Sequence, residues 1–287
     1  MLTLVTRRSF LQITGAGGAS LLQACSPLAM LNGAASADSF VAHTGQRYGA
    51  HARHLLDVYQ PSPTLSNAPV VIFFYGGNWA SGERADYRFV GAALASRGFV
   101  AVLPDYRLYP EVRYPNFLDD CASAARWVST HIAQWGGNRE RIFLSGHSAG
   151  AYNAAMLALN PAYTLNKPPI KGLIGLAGPY DFLPLQADLT KAVFGFPNTP
   201  ITTQPIHYAS AVTPPTLLLT GGEDDVVSPG NSLRLTQRLS ELGVPAQNKV
   251  YPKLGHRTLI GAMSKPLRHM APVLDDFADF VDLHSKP

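Results

Sequence analysis

Short runs of apolar, β-branched and aromatic residues recur along this chain, and between most of them lies a segment with helical periodicity. Val70-Val71-Ile72-Phe73-Phe74-Tyr75 is the first such run, and its lack of polar alternation suits a strand buried on both faces of a sheet. The runs Val100–Leu103, Ile142–Leu144, Leu173–Leu176, Thr216–Thr220 and Asn248–Tyr251 follow. Helical spacing fills Asp86–Arg97, Asn116–Gln134, Ala149–Leu159, Ser232–Leu242 and Pro272–Leu283, with Gly98 and Gly136-Gly137 as stops. Strands alternating with helices of ten or more residues predict an α/β chain with a mostly parallel central sheet and helices on both faces. In such sheets chemistry gathers outside the C-terminal ends of the strands, so reactive side chains just after each run are the ones to weigh.

The first of these is Ser148, in Gly146-His147-Ser148-Ala149-Gly150. It lies between an apolar run and an Ala-rich helical segment, the strand–turn–helix setting that a G-x-S-x-G elbow needs. The turn must be tight, so the positions two before and two after the serine must be small, and both are glycine. Such a turn lifts the hydroxyl above the sheet and aims the Ala149 N–H, at the helix start, toward an incoming oxyanion.

A serine hydroxyl needs a base, and the base needs a carboxylate to orient it. Gly221-Gly222-Glu223-Asp224-Asp225 follows the run Thr216–Thr220. Asp224 is the predicted orienting acid, with Asp225 in reserve. Of nine histidines, His256 alone falls in the loop after Tyr251 and before the final helix, with Gly255 beside it. It is the predicted base, while His147 is expected to point away from the serine. A second source of oxyanion donors is the exit of the first run, Tyr75-Gly76-Gly77-Asn78-Trp79, where glycine lets the backbone approach a ligand. The N–H groups of Gly77 and Asn78 are the candidate donors.

Met1–Ala37 reads as an export signal. Thr6-Arg7-Arg8-Ser9-Phe10-Leu11 resembles the twin-arginine type, and the weakly apolar stretch after it is broken by Gly15, Gly17 and Gly18. Two processing sites compete. Leu22-Gln23-Ala24-Cys25 resembles a lipobox, which would make Cys25 a lipidated first residue, and Ala35-Ser36-Ala37 fits cleavage before Asp38. The expected location is outside the bacterial cytoplasm, in the periplasm, with Cys25 as the one route to a membrane. Ser26–Arg53, rich in Ala, Gly and Ser, reads as a tether or edge segment, and residues 38–287 as one domain. The formal charge of +4 contains no dense basic block, which argues against a nucleic-acid partner. Cys25 and Cys121 are the two cysteines, too few for a disulfide framework, and Cys121 reads as a helix-packing thiol.

Taken together, Leu56-Asp57-Val58-Tyr59-Gln60-Pro61, the Tyr75–Trp79 loop, Asp105-Tyr106-Arg107-Leu108-Tyr109-Pro110-Glu111 and the serine elbow resemble the esterase branch of the α/β-hydrolase superfamily. The likeness is to hormone-sensitive-lipase-like carboxylesterases and the related kynurenine formamidases, over roughly residues 53–283. It implies an α/β-hydrolase fold, a Ser148–Asp224–His256 triad, an oxyanion hole of Gly77, Asn78 and Ala149, and no cofactor or metal. It also implies that Tyr106 and Arg107 brace the oxyanion loop. The family loop usually begins with His and often carries a third Gly, where this chain has Tyr75 and Asn78.

Residues 179–214 interrupt the alternation and carry Tyr180, Phe182, Leu183, Leu185, Phe194 and Phe196, so they are expected to form a short apolar cap. The predicted activity is hydrolysis of small to medium carboxylic esters through an acyl-enzyme. Aryl amide hydrolysis of the formamidase type stays open, as do a peptidase of the same fold and a silent interaction module. Nothing in the sequence sets the oligomeric state.

Overall fold

The computed structural model of the chain describes residues 27–35, 39–164 and 169–286. Arg7, Arg8, Cys25, Ala37 and both processing sites lie outside the described residues. In chain order the elements are α1 (Pro27–Gly33), β1 (Phe40–Arg47), β2 (Leu55–Pro61), β3 (Ala68–Phe74), α2 (Arg88–Ala95), β4 (Val100–Pro104), α3 (Asn116–His131), β5 (Gly137–His147), α4 (Ala149–Leu159) and α5 (Pro161–Thr164). Then come β6 (Ile170–Leu176), α6 (Asp188–Phe194), β7 (Thr216–Gly221), α7 (Gly230–Glu241), β8 (Ala246–Tyr251), α8 (His256–Gly261) and α9 (Val273–His284).

The strands form one eight-stranded sheet in the order β1-β2-β4-β3-β5-β6-β7-β8. β1 and β2 run antiparallel at one edge, and every pair from β4 onward is parallel. This is the mostly parallel α/β architecture expected from the alternation. Val70–Phe74 and Val100–Pro104 are wholly buried, as two-sided strands must be. Neighbouring residues on β5 show the two faces: Phe143 meets Phe280 of α9, with ring centroids 6.4 Å apart, while Leu144 faces Ala122 and Ala125 of α3 and Leu157 of α4.

Register sets which strand exits share the working edge. Phe74 pairs with Gly146, His147 with Leu176, and Gly221 with Tyr251. The turns after β3, β5, β7 and β8 therefore leave the sheet on one side, within reach of one another.

Of the two readings of Ser26–Arg53 the edge segment holds: it contributes α1, docked on the body, and β1, an edge strand with Phe40 buried and most of its other residues only partly covered or exposed. β2, which no apolar run foretold, departs from expectation. β5 also begins at Gly137, five residues before its apolar run.

Candidate active site

Ser148 caps the N-terminus of α4 with φ +56° and ψ −124°, a left-handed conformation costly for a residue with a Cβ. What sustains it is the packing of the two glycines. A Cβ on Gly146 would lie 2.4 Å from the Gly150 carbonyl oxygen, and one on Gly150 would lie 2.0 Å from the Phe74 carbonyl oxygen. The Ser148 N–H donates to Leu176 O at 2.9 Å, tying the elbow to β6.

The Tyr75–Trp79 loop is strained in the same sense. Gly77, Asn78 and Trp79 have φ of +135°, +52° and +58°, and a Cβ on Gly77 would sit 2.1 Å from Ser81 O. Among the described residues no acceptor engages the N–H groups of Gly77, Asn78 or Ala149. The loop is held from beneath. Tyr106 Oη donates to Tyr75 O at 2.8 Å and its ring stacks on Tyr75 at 4.7 Å, and Trp79 Nε1 donates to Asn153 Oδ1 at 3.0 Å. Arg107, expected to share the bracing, does not. Its guanidinium forms a fork on Asp120 at 2.8 and 2.7 Å, away from the loop. The bracing arginine is Arg53, which donates to Tyr75 Oη (2.6 Å), Gly82 O (2.8 Å) and Tyr106 O (2.8 Å). The aspartates of the two motifs, Asp57 and Asp105, converge on Arg84.

Asp224 and His256 meet because the loops after β7 and β8 are pressed together. A Cβ on Gly221 would reach Leu254 O at 2.4 Å and one on Gly222 would reach Pro252 O at 2.7 Å. His256 Nδ1 then donates to Asp224 Oδ2 at 2.8 Å, and Asp224 Oδ1 accepts the N–H groups of Val226 (3.0 Å) and Val227 (2.8 Å). Burial alone would raise the Asp224 carboxyl, but the His256 bond and these N–H groups outweigh it and hold it below the usual carboxylate range. Asp225 and Glu223 are exposed and take no part. His256 is the first residue of α8 rather than a loop residue, and the Thr258 hydroxyl, accepting the Gly255 N–H at 2.8 Å, caps that short helix. No hydrogen bond joins Ser148 Oγ to the His256 ring among the described residues, and the two side chains share the wall of one cavity.

His147 packs beside His256. Its ring lies 4.7 Å from that of His256, and Nε2 is 3.1 Å from His256 O. A carbonyl only accepts, so Nε2 carries the hydrogen and Nδ1 accepts from Tyr87 Oη, 3.1 Å away. Tyr87 Oη accepts in turn from Gly76 N at 3.3 Å. A directed chain thus links the Tyr75–Trp79 loop to the backbone of His256. Burial, with the His256 ring beside it, pushes the His147 pKa down to about 3, so the ring stays neutral.

Ser148 separates two cavities. One, of about 410 Å³, is bounded by Trp79, Ala149, Phe182, Leu183, Leu185 and Val227. The other, of about 370 Å³, is lined by His256, His147, Gly77 and Asn78 together with Leu28, Leu31 and Ile260. Of the aromatics in residues 179–214, Phe182 lines a cavity, Tyr180 and Phe194 are buried, and Phe196 is 55% exposed. Phe194 packs edge-on to Trp79 at 4.8 Å.

Known proteins resemble this chain at both levels. The isoprenylcysteine alpha-carbonyl methylesterase ICME of Arabidopsis thaliana is 29% identical over 248 residues, covering 77% of this chain and 57% of that protein. Esterase LipC of Mycobacterium tuberculosis is 28% identical over 249 residues, covering 77% and 62%. The chain thus spans less than two thirds of either relative. Among solved structures, a truncated carbohydrate esterase from gut microbiota superposes with a TM-score of 0.77 at 21% identity, covering 87% of this chain and 98% of that one. Esterase B from Lactobacillus rhamnosis with a tributyrin phosphonate gives 0.75 at 21%, covering 86% and 87%. At these identities the likeness establishes the α/β-hydrolase fold. The family model described as BD-FAE matches residues 56–239, well over half of the 287, a span that includes Ser148 and Asp224.

Proposed function

This chain belongs to the BD-FAE family, and we propose that it is a carboxylesterase-type serine hydrolase cleaving small to medium carboxylic esters. The observation that carries the proposal is the juxtaposition at Ser148: a hydroxyl on a strained turn, three uncommitted N–H groups around it, and the Asp224–His256 pair on the wall of the same cavity. With Nδ1 donating to Asp224, His256 presents an unprotonated Nε2 as general base. Ser148 Oγ attacks the ester carbonyl, its proton passes to His256, and Asp224 stabilises the imidazolium. The N–H groups of Gly77, Asn78 and Ala149 receive the oxyanion, a contribution worth about 10²- to 10³-fold in kcat per donor in comparable sites. His256 then protonates the departing alcohol, and water repeats the sequence on the acyl-enzyme. The proposal also treats Met1–Ala37 as an export signal and tether, cut before Cys25 or after Ala37, which puts the enzyme in the periplasm.

Assay of p-nitrophenyl acetate, butyrate and octanoate beside N-formylkynurenine tests the substrate class. Ester turnover that disappears in Ser148→Ala, together with phosphonate labelling of Ser148 in the parent, is the expected result. Turnover of N-formylkynurenine alone, or retained ester turnover in Ser148→Ala, overturns it.

A further inference from the structure

α1 sits just downstream of Cys25, and one side chain fastens it to the body. Asn32 Nδ2 donates to Ala85 O at 2.9 Å and Asp86 O at 3.1 Å, and Asn32 Oδ1 accepts the Phe89 N–H at 3.0 Å. That last donor belongs to the first turn of α2, where no partner exists within the helix. Three hydrogen bonds from one residue fix both the position and the rotation of a two-turn helix. Leu28 and Leu31, three residues apart and so on one face, are thereby turned into the cavity of about 370 Å³ that Ser148 and His256 also line. Ile260 and Val226 extend this apolar lining, and exposed Arg257 is its charged member.

The chemistry of acyl transfer assigns this cavity an occupant, an argument that rests on the serine-hydrolase reading above. As the bond from Ser148 Oγ to the carbonyl carbon forms and the bond from that carbon to the alkoxy oxygen breaks, the proton His256 took from Ser148 must reach the alkoxy oxygen. That oxygen must lie within hydrogen-bond reach of His256, so the alcohol part of the ester fills the cavity His256 lines. The cavity of about 410 Å³, which His256 does not line, is left for the acyl chain.

We infer that α1 is part of the active site, with Leu28 and Leu31 forming a specificity wall for the leaving group, and that the enzyme favours esters of apolar aryl or branched alkyl alcohols over methyl esters. The two processing sites then have different consequences. Cleavage before Cys25 keeps the wall, whereas cleavage after Ala37 removes it.

The test uses the full chain and a leaving-group series at constant acyl group: methyl, phenyl and 2-naphthyl acetate. The ratio of kcat/KM for the naphthyl and methyl esters is compared between variant and parent, which cancels the intrinsic reactivity of each leaving group. Leu31→Trp fills the cavity and is expected to lower this ratio at least tenfold, the scale on which apolar pockets discriminate. Leu28→Ala/Leu31→Ala, a gentler change, is expected to lower it severalfold while the ratio of methyl butyrate to methyl acetate stays put. A naphthyl-to-methyl ratio within twofold of the parent in both variants overturns the inference, as does a shift confined to the acyl series. Mass measurement of the exported protein is expected to include residues 27–33, and a mature N-terminus at Asp38 also overturns it. A parent that neither hydrolyses these esters nor labels at Ser148 refutes the underlying hydrolase reading, whereas a labelled, active parent with unmoved ratios refutes the role of α1 alone.

Discussion

His147→Gln gives the most direct access to the hydrogen-bond chain beside the site. The parent ring is buried between Tyr87 and the His256 backbone, and its pKa falls from an ordinary 6.5 to about 3. A proton that binds the unfolded chain near pH 6.5 but the folded one only near 3 favours unfolding throughout that window. Stability is therefore complete above pH 6.5 and is lost as pH falls toward 3, at roughly 1.4 kcal/mol per unit. At pH 5 the accumulated loss is about 2 kcal/mol. Glutamine keeps one donor for His256 O and one acceptor for the Tyr87 hydroxyl but takes up no proton. Urea unfolding of parent and variant at pH 7, 6 and 5 is the assay. The parent should lose about 2 kcal/mol more than His147→Gln across that range, whatever offset the lost ring contact leaves at pH 7. Parallel pH profiles would refute the reasoning, because they would mean that the folded state admits the proton. His147→Phe is the complementary control: it leaves the buried Tyr87 hydroxyl without its acceptor, which should cost about 1–3 kcal/mol at pH 7, and, taking up no proton, it should keep its stability toward pH 5 as His147→Gln does.

The acid of the triad and the elbow yield two further predictions. Asp224→Asn should lower kcat by about 10⁴-fold by losing control of the His256 tautomer, while exposed Asp225→Asn should leave it within about twofold; steady-state kinetics on p-nitrophenyl butyrate would reverse the assignment if Asp225→Asn were the damaging change. Gly150→Ala places a Cβ 2.0 Å from the Phe74 carbonyl oxygen, a backbone atom with nowhere to go, so thermal unfolding should show a loss of about 3 kcal/mol or more; an unchanged Tm would mean that the elbow is not packed as described.

How much of this was legible in the sequence depended on whether the demand was local. The elbow was readable because its glycines sit two residues to either side of Ser148, and α4 begins and ends where its pattern does. Buried β2, interrupted by Asp57 and Gln60, did not show as a strand, while buried β3 to β7 announced themselves through short apolar runs. β1 did not, because an edge strand with one partner has no burial requirement to write into its residues. His256 was found by position alone, yet as a helix start rather than a loop residue, since the short capped turn of α8 has little pattern to show.

The functional residues that sequence reasoning missed are those whose partners lie far along the chain. Arg53 reaches Tyr75, Gly82 and Tyr106, which are 22, 29 and 53 residues away, and no spacing within its own segment hints at any of them. The resemblance pointed to Arg107 together with Tyr106, but neighbouring side chains diverge: Tyr106 turns to the Tyr75–Trp79 loop and Arg107 to Asp120. His147 was discounted because the elbow turns it from the serine, which says nothing of what it turns toward. His256 lies 109 residues on, and only the register that sets β5 beside β6, β7 beside β8, and Gly221 against Tyr251 brings the two histidines into contact. The same holds for Asn32, whose amide closes on Ala85, Asp86 and Phe89. A short segment can thus be fixed in place when one polar side chain finds groups that a distant helix start leaves unpaired.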